Sequence, residues 1–327
     1  MRRVITVGAA TIDCLMKSDS FKVLKSHEVI GGVAMCEVMG GKMEAQEGVL
    51  TTGGGGTNVA VGLRRMGESV KVITRLGDDD MAGLIVKQLS SENVILDLVQ
   101  KGKGKTGLSA ILVAPNGGRS IITYRGEGGG IVGKDIDWNE VAKAEWIQIS
   151  SLGGELELLE DLVSFAQLRK IGIGLNPGKK ELDQRERLIK LLPKIDFFNV
   201  NRMEAATLWK TDYEHEEILI KKFIENGSNL VAITDGKRGA SIANREKWIK
   251  MDSFPNKSVD DTGAGDAFVS GSVAGILRRE SLENILKMGL ANGGSVVTYL
   301  GAKGGLLYDK DMDVWISKQL RSVEEKI

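Results

Sequence analysis

Histidine is nearly absent from this chain of 327 residues: His27 and His215 are the only two, and neither stands in a pattern. That speaks against a histidine-based catalytic triad and against a zinc centre, both of which draw on imidazole. Cysteine is as scarce. Cys14 and Cys36 form no CxxC pair, and a reduced cytoplasmic setting is the simplest reading. A surplus of one charge is missing as well. The 44 Lys and Arg stand against 44 Asp and Glu, which leaves no basic excess for a nucleic acid and no acidic arm. No apolar run approaches the ~18 residues that a membrane-spanning helix needs. The stretch after Arg2-Arg3 carries Asp13 and Lys17, so it lacks the apolar region of an export signal. Three nucleotide-handling signatures are absent too. There is no GxxxxGK followed by Ser or Thr, no protein-kinase HRD or DFG set, and no GxGxxG at a first strand-to-helix turn. P-loop enzymes, protein kinases and dinucleotide dehydrogenases are thereby disfavoured.

What the chain has in quantity is glycine, 42 residues against 4 prolines, gathered in particular loops. Glycine allows positive φ and close approach of a ligand to the main chain. With 42% hydrophobic and 27% charged residues, the composition suits a globular protein with a large core. Although 327 residues is long for one domain, α/β folds run past ~250 as a unit, and a single domain over 1–327 is expected. The periodicity alternates. Apolar runs at 4–9, 70–74, 146–149, 171–175, 196–200 and 230–234 read as strands, and helical patterns at 57–66, 80–90, 155–169, 183–192, 202–208 and 214–226 separate them. An antiparallel pair at 240–243 and 247–251 and helices at 264–279, 281–299 and 310–319 follow. This implies an α/β fold with a largely parallel central sheet and helices on both faces, binding its ligands at the carboxyl ends of the strands. Residues 14–52 break the rhythm with β-like pieces such as Phe21-Lys22-Val23-Leu24, and a strong hairpin signal, Pro115-Asn116-Gly117-Gly118, lies between 108–114 and 119–124. Together they predict a small β lid, from about 14–52 and 105–126. A surface insertion without a role is the alternative.

The strongest chemical signal is Asp260-Asp261-Thr262-Gly263-Ala264-Gly265-Asp266-Ala267-Phe268, which runs into an apolar helix. Small residues at a helix start leave N–H groups free to face an anion, and the helix dipole adds positive potential. Asp266 falls in the first turn. On its own it reads as a helix-start charge, or as a general base beside an anion hole formed by the amides of Ala264, Gly265 and Asp266.

The stretch DDTGAGDAFVSG, residues 260–271, resembles the C-terminal signature of the ribokinase-like (PfkB) carbohydrate kinase family, and GGGGTNVAVGLRRMG, residues 53–67, resembles its N-terminal signature. Weaker similarity extends from VGAATID near the start to GAKGG near residue 301. The resemblance implies the ribokinase-like fold and an enzyme that moves the γ-phosphoryl group of ATP onto a hydroxyl of a sugar or sugar-like substrate. In that picture Asp266 is the general base and Gly263, Ala264 and Gly265 surround the transferring group. Asp13, Gly54 and Asn58 match substrate-binding positions; without the signatures Asp13 reads as a loop aspartate. At Gly55 ribokinase carries a lysine, which leaves the sugar preference open. Asn201 and Glu204, spaced as NxxE, match residues that order Mg2+ through water, and the same spacing is a helix capping box. Asn176 matches a polar position near the phosphates and also reads as a turn residue before Pro177. Thr234, Gly236 and Asn292 match the ATP side. Lys237 and Arg238 read as solvated charges or as phosphate contacts. Asp260 and Thr262 match two ligands of a monovalent-cation site, for K+, which the carbonyls of Val296 and Gly301 would complete.

The family also phosphorylates nucleosides, inositols, sugar phosphates and keto-deoxy acids. The lid has few aromatics, Phe21 and Tyr124, so nucleosides rank below free sugars. Arg125 reads as a contact to a substrate phosphate or carboxylate, or as a solvent-facing charge. A nucleoside or sugar-phosphate kinase is the alternative within the family. A non-catalytic sugar or nucleotide sensor is the alternative of another class. No nucleic acid or membrane partner is expected, and pairing of exposed lid strands predicts a homodimer.

Overall fold

The computed structural model describes residues 1–25, 33–115 and 118–326. Its main sheet has nine strands in the order Ser322–Lys326, Lys247–Met251, Ala240–Ala243, Val231–Thr234, Phe197–Asn201, Gly172–Leu175, Trp146–Ile149, Arg3–Val7 and Ser69–Ile73. From Ser69–Ile73 to Val231–Thr234 every neighbouring pair is parallel. The three pairings beyond are antiparallel. The parallel strands are buried on both faces and alternate sides with a period of two. Val7, Ile149, Leu175, Val200 and Ile233 pack on one side with Leu159, Leu162, Leu219 and Phe223 of the helices Leu156–Arg169 and Glu216–Glu225. Val4, Trp146, Phe197 and Ala232 pack on the other, against the helices Gly55–Arg65, Ala264–Arg278 and Leu282–Val296. Full burial of one such large apolar side chain is worth ~1.5–3 kcal/mol. A slip of one residue exchanges the two sets, so the register is strongly specified.

The helix Ala264–Arg278 is clamped between two others. A Cβ on Gly62 would come within 2.3 Å of Ser270 Oγ, and a Cβ on Gly271 would meet the Met288 carbonyl oxygen at 2.4 Å. Only missing side chains let these backbones cross so closely, and the crossing fixes the helix whose start carries the DDTGAGD motif.

A second sheet has four strands in the order Arg119–Tyr124, Gly107–Val113, Thr11–Lys17 and Glu47–Gly53. Thr11–Lys17 runs parallel to Gly107–Val113 and antiparallel to Glu47–Gly53. Asp13 therefore sits within a strand, not in a loop. The β-like piece at 21–24 belongs to a separate two-stranded ribbon, Lys22–Lys25 with Val33–Cys36. The hairpin turn at Asn116-Gly117, and His27, lie outside the described residues, but the flanking strands pair as expected, with Val113 opposite Arg119. Some details differ from the sequence reading. The helix expected at 183–192 is two short ones, Lys179–Leu182 and Arg185–Leu191. The edge strand Ser322–Lys326 was not expected at all, because its residues are exposed throughout and carry no apolar pattern. Among the described residues, no helix is long and apolar enough to cross a membrane.

Candidate active site

The loops that follow Val7, Ile149 and Leu175 converge at the carboxyl edge of the parallel sheet, where α/β folds place their ligands. They border a cavity of about 290 Å³ whose walls include Gly55, Arg125, Ser150, Asn176, Glu204 and Asp266. A second groove of about 450 Å³ is walled by Phe254, Phe268, Leu290 and Val297, with Thr234 and Gly236 at its rim. The start of the helix Ala264–Arg278 stands between the two. Asp266 borders the first cavity, while Ala264 and Gly265 border the second.

The local sequence dictates this helix start. Gly263 takes φ 79°, a left-handed conformation, and a Cβ there would lie 2.5 Å from Ala302 Cβ. Glycine satisfies both demands. No side chain caps the helix. The Ala264 N–H reaches the Asp261 carbonyl at 3.3 Å and that of Ala267 closes on Gly263 at 2.8 Å, whereas the N–H groups of Gly265 and Asp266 have no helical acceptor. Free N–H groups and the helix dipole together favour an anion at this point.

Asp266 keeps part of its surface open to the cavity, and its Oδ2 accepts a hydrogen bond from Asn58 Nδ2 at 2.8 Å. Asn58 Oδ1 in turn accepts from Lys303 Nζ at 2.5 Å. Lys303 also donates to the Thr52 carbonyl at 2.8 Å and to the Thr57 hydroxyl at 3.1 Å. Asp13 lies beside this group, accepting from the Thr11 hydroxyl at 3.1 Å. A Cβ on Gly53 would strike Asp13 Oδ2 at 1.9 Å. Desolvation pushes the Asp266 carboxyl above the usual carboxylate range, against the pull of the Asn58 bond and the Lys303 charge. Desolvation raises Asp13 as well, opposed by bonds from Ser109 and Thr11 and again by Lys303. The same burial pushes Lys303 down to about 7, opposed by Asp13 and Asp266. One ammonium and two carboxylates thus share a poorly solvated pocket, and each biases the protonation of the others. Sequence reasoning gave Lys303 no role, because nothing local to GAKGG signals partners that stand 245 to 251 residues away.

The structure places the remaining sequence-predicted residues as follows. Gly54, φ 94°, precedes the helix Gly55–Arg65, and a Cβ there would meet the Ala9 carbonyl oxygen at 2.3 Å. Asp13 and Asn58, expected to face substrate, are 6% and 4% exposed and lie beneath the cavity wall. The Asn58 amide is engaged at both ends, by Asp266 and by Lys303. At Gly55, a Cβ would sit 2.7 Å from Ser150 Cβ, which leaves no room for a longer side chain while Ser150 stays in place. The capping box at Asn201 and Glu204 is formed: each backbone N–H donates to the other's side chain at 2.8 Å. Glu204, raised by desolvation, also borders the first cavity. Asn176 borders that cavity too, with Nδ2 donating to the Asn199 carbonyl at 2.9 Å, and does not reach the groove of Thr234 and Gly236. Lys237 borders the groove, whereas Arg238 pairs with Asp235 at 2.9 Å.

Two expectations need correction. Asn292 does not face the groove. It is fully buried, with Nδ2 donating to the Ala267 carbonyl and the Ser270 hydroxyl at 2.9 Å each and Oδ1 accepting from the Leu307 N–H at 2.8 Å. Its chain neighbours Gly293 and Gly294 border the groove instead. Asp260 and Thr262 are already satisfied by protein donors. Asp260 Oδ1 accepts from Arg119 at 3.0 Å and from the Thr262 hydroxyl at 2.6 Å, and its Oδ2 accepts from the Gly301 N–H at 2.9 Å. The Arg119 guanidinium also lies 3.1 Å from Thr262 Oγ1. A protein cation thus contacts the side-chain oxygens expected to hold a monovalent ion.

The family model for pfkB family carbohydrate kinase matches residues 1–307. The chain is 30% identical over 296 residues to a bifunctional ribokinase/ribose-5-phosphate isomerase A from Fructilactobacillus sanfranciscensis, covering 88% of this chain and 50% of that protein, so it spans half the length of that relative. It is 24% identical over 308 residues to the ribokinase of Bacillus subtilis, covering 94% of this chain and 96% of that one. An E. coli protein solved in complex with ATP and Mg2+ shares the fold, with a TM-score of 0.79 at 19% identity over 98% of this chain and 100% of that one. With a match that runs over nearly the whole sequence, the chain belongs to the pfkB family of carbohydrate kinases.

Proposed function

We propose that the protein transfers the γ-phosphoryl group of ATP to a hydroxyl of a free sugar or sugar-like substrate, with Asp266 as general base. The observation that carries this reading is the single helix start between two cavities, with Asp266 on the polar side and Gly265 on the apolar side. An acceptor in the first cavity lies against the carboxylate, and an adenine in the second lies against Phe254, Phe268 and Leu290. The phosphates between them meet the uncapped N–H groups. Asp266 takes the hydroxyl proton as the new O–P bond forms and the bond from the γ-phosphorus to the bridging oxygen breaks, releasing ADP. The free amides of Gly265 and Asp266 stabilise the charge on the transferring group.

No cluster of three or more His, Cys, Asp or Glu that could cage a metal exists among the described residues. One carboxylate on the cavity wall, Glu204, fits Mg2+, which retains most of its waters and leans on one or two carboxylates plus substrate phosphates. Asn201 and Asn176 offer further oxygens near that end of the site. Bound there, the ion would neutralise charge on the phosphate oxygens. The relative solved with ATP and Mg2+ supports both ligands. The donors Asp260 and Thr262 do not fit K+, because Arg119 already supplies the charge. Turnover is therefore expected to be the same with K+ as with a tetraalkylammonium salt at equal ionic strength, and strong activation by K+ in a steady-state assay refutes that reading.

The four-stranded sheet brings Arg119 to Asp260 and is followed by Arg125 at the cavity wall, which supports its reading as a lid over the site. Its outer strand, Arg119–Tyr124, is exposed along its length, with Ile121, Ile122 and Tyr124 uncovered, and a second copy pairing there gives the expected homodimer; light scattering is the check. Arg125, exposed and bordering the same cavity as Asp266, favours a second reading in which the acceptor carries a phosphate or carboxylate. The test is ADP release from MgATP against free sugars, sugar phosphates, sugar acids, nucleosides and inositols. Stimulation by free sugars supports the first reading. Stimulation confined to anionic sugars, and lost in Arg125→Ala, supports the second. ATP binding with no stimulation by any class favours a sensor.

A further inference from the structure

We propose that Lys303 is a positioning residue of the transfer site: through Asn58 it holds Asp266 in the orientation from which the carboxylate takes the acceptor's proton. This rests on Asp266 being the base and deepens that reading. An ammonium has three donors and no acceptor. Lys303 places them on three acceptors, the Thr52 carbonyl, the Thr57 hydroxyl and Asn58 Oδ1. The Thr57 hydroxyl donates its own proton to the Gly53 carbonyl at 2.8 Å, which leaves its lone pairs to the lysine. An asparagine amide on its own has two orientations related by a flip. A lysine that donates to Oδ1 favours the one in which Nδ2 points to Asp266 Oδ2 at 2.8 Å. The flipped amide would turn an oxygen lone pair onto a carboxylate. Lys303 therefore decides which way Asn58 faces, and Asn58 decides where the carboxylate points. The lysine arrives on the backbone that also shapes the helix start, since its neighbour Ala302 packs against Gly263.

The ammonium also faces two carboxylates, the buried Asp13 on the strand Thr11–Lys17 and the half-buried Asp266 on its helix, with Glu92 and Arg65 as further charged neighbours. Glu204 and Arg125 border the same cavity as Asp266. Loss of the ammonium leaves Asp266 with the repulsion of Asp13 and without the Lys303 charge that lowers its pKa.

The test compares wild type, Lys303→Met, Lys303→Gln, Asn58→Ala and the Asn58→Ala/Lys303→Met double variant on the acceptor that stimulates ADP release, with Asp266→Asn as control and thermal unfolding to report the fold. Lys303→Met is expected to lower kcat by ~10- to 100-fold, as loss of an orienting partner does, with KM for ATP unchanged. The acid limb of its kcat/KM profile moves to higher pH. Lys303→Gln, which keeps a neutral donor for Asn58, recovers part of kcat but not the acid limb, and carries the test if the methionine variant does not fold. The double variant is no slower than Asn58→Ala alone, because the two residues act as one unit. A purely structural lysine predicts losses that multiply. Wild-type kcat with an unmoved acid limb in folded lysine variants, or multiplying losses, overturns the inference. If Asp266→Asn turns over normally, the base assignment itself falls, and this inference with it. If Asp266→Asn is inactive while the lysine variants are normal, only this inference falls.

Discussion

Asp266→Asn is expected to lower kcat by ~10²–10⁴, the range for a lost general base, while leaving KM for ATP close to wild type. The replacement keeps the size of the side chain, and its amide oxygen can still accept from Asn58, so the cavity wall keeps its shape. What disappears is the ability to take a proton from the acceptor. Steady-state kinetics on the stimulating acceptor, beside a thermal unfolding curve, measures both parts. A folded variant with near-normal kcat contradicts the assignment. The same residue predicts a pH dependence. Burial raises the Asp266 carboxyl, and a base must be ionised to work. Activity is therefore present above its pKa and lost as the pH falls through it. The acid limb of kcat/KM belongs above the ~3.9 of an ordinary aspartate, and a limb at or below that value contradicts the burial argument.

Gly265→Leu is the second change with a large expected effect, and it acts on the ligand and not on the fold. Beyond its chain neighbours and its own helix backbone, no atom lies within 4 Å of the point where a Cβ would sit, and Gly265 borders the groove of Thr234 and Gly236. In a helix, leucine is favoured over glycine by up to ~1 kcal/mol, so the unfolding temperature stays level or rises. The side chain nevertheless enters the space given to the phosphates. Displacement of a reacting group by ~1 Å can cost 10²-fold, and kcat/KM for ATP is expected to fall by at least that order. Gly263→Leu is the contrasting case, because the left-handed φ and the 2.5 Å approach to Ala302 Cβ make it a folding defect. A stable Gly265→Leu protein with normal ATP kinetics removes the nucleotide from this groove.

What was legible in the sequence follows from range. Parallel strands covered on both faces are short apolar runs, and Trp146–Ile149 is buried at every position, so its bounds could be read directly. The edge strand Ser322–Lys326 has no buried residue and left no such trace. Asp266 and Gly263 were legible because a helix start is a local event whose glycine and carboxylate lie within a few residues. Asp13 was ambiguous because its strand, Thr11–Lys17, does not alternate cleanly: the adjacent Ile12 and Asp13 are both buried. Asn292 was assigned by position in a resemblance. A displacement of one residue along a helix turns a side chain by about 100°, enough to bury it and present Gly293 to the groove instead. Lys303 and Arg119 were out of reach, since each earns its place only through partners more than a hundred residues away.

The central claim, that an acceptor hydroxyl and not water receives the phosphoryl group, is tested most directly by phosphorus NMR of the reaction of wild type and Asp266→Asn with MgATP and the stimulating acceptor. The account predicts a phosphomonoester resonance of the acceptor that grows in step with ADP in the wild type and is nearly absent in the variant. Growth of inorganic phosphate alone, or an acceptor phosphoester formed equally well by both proteins, contradicts it.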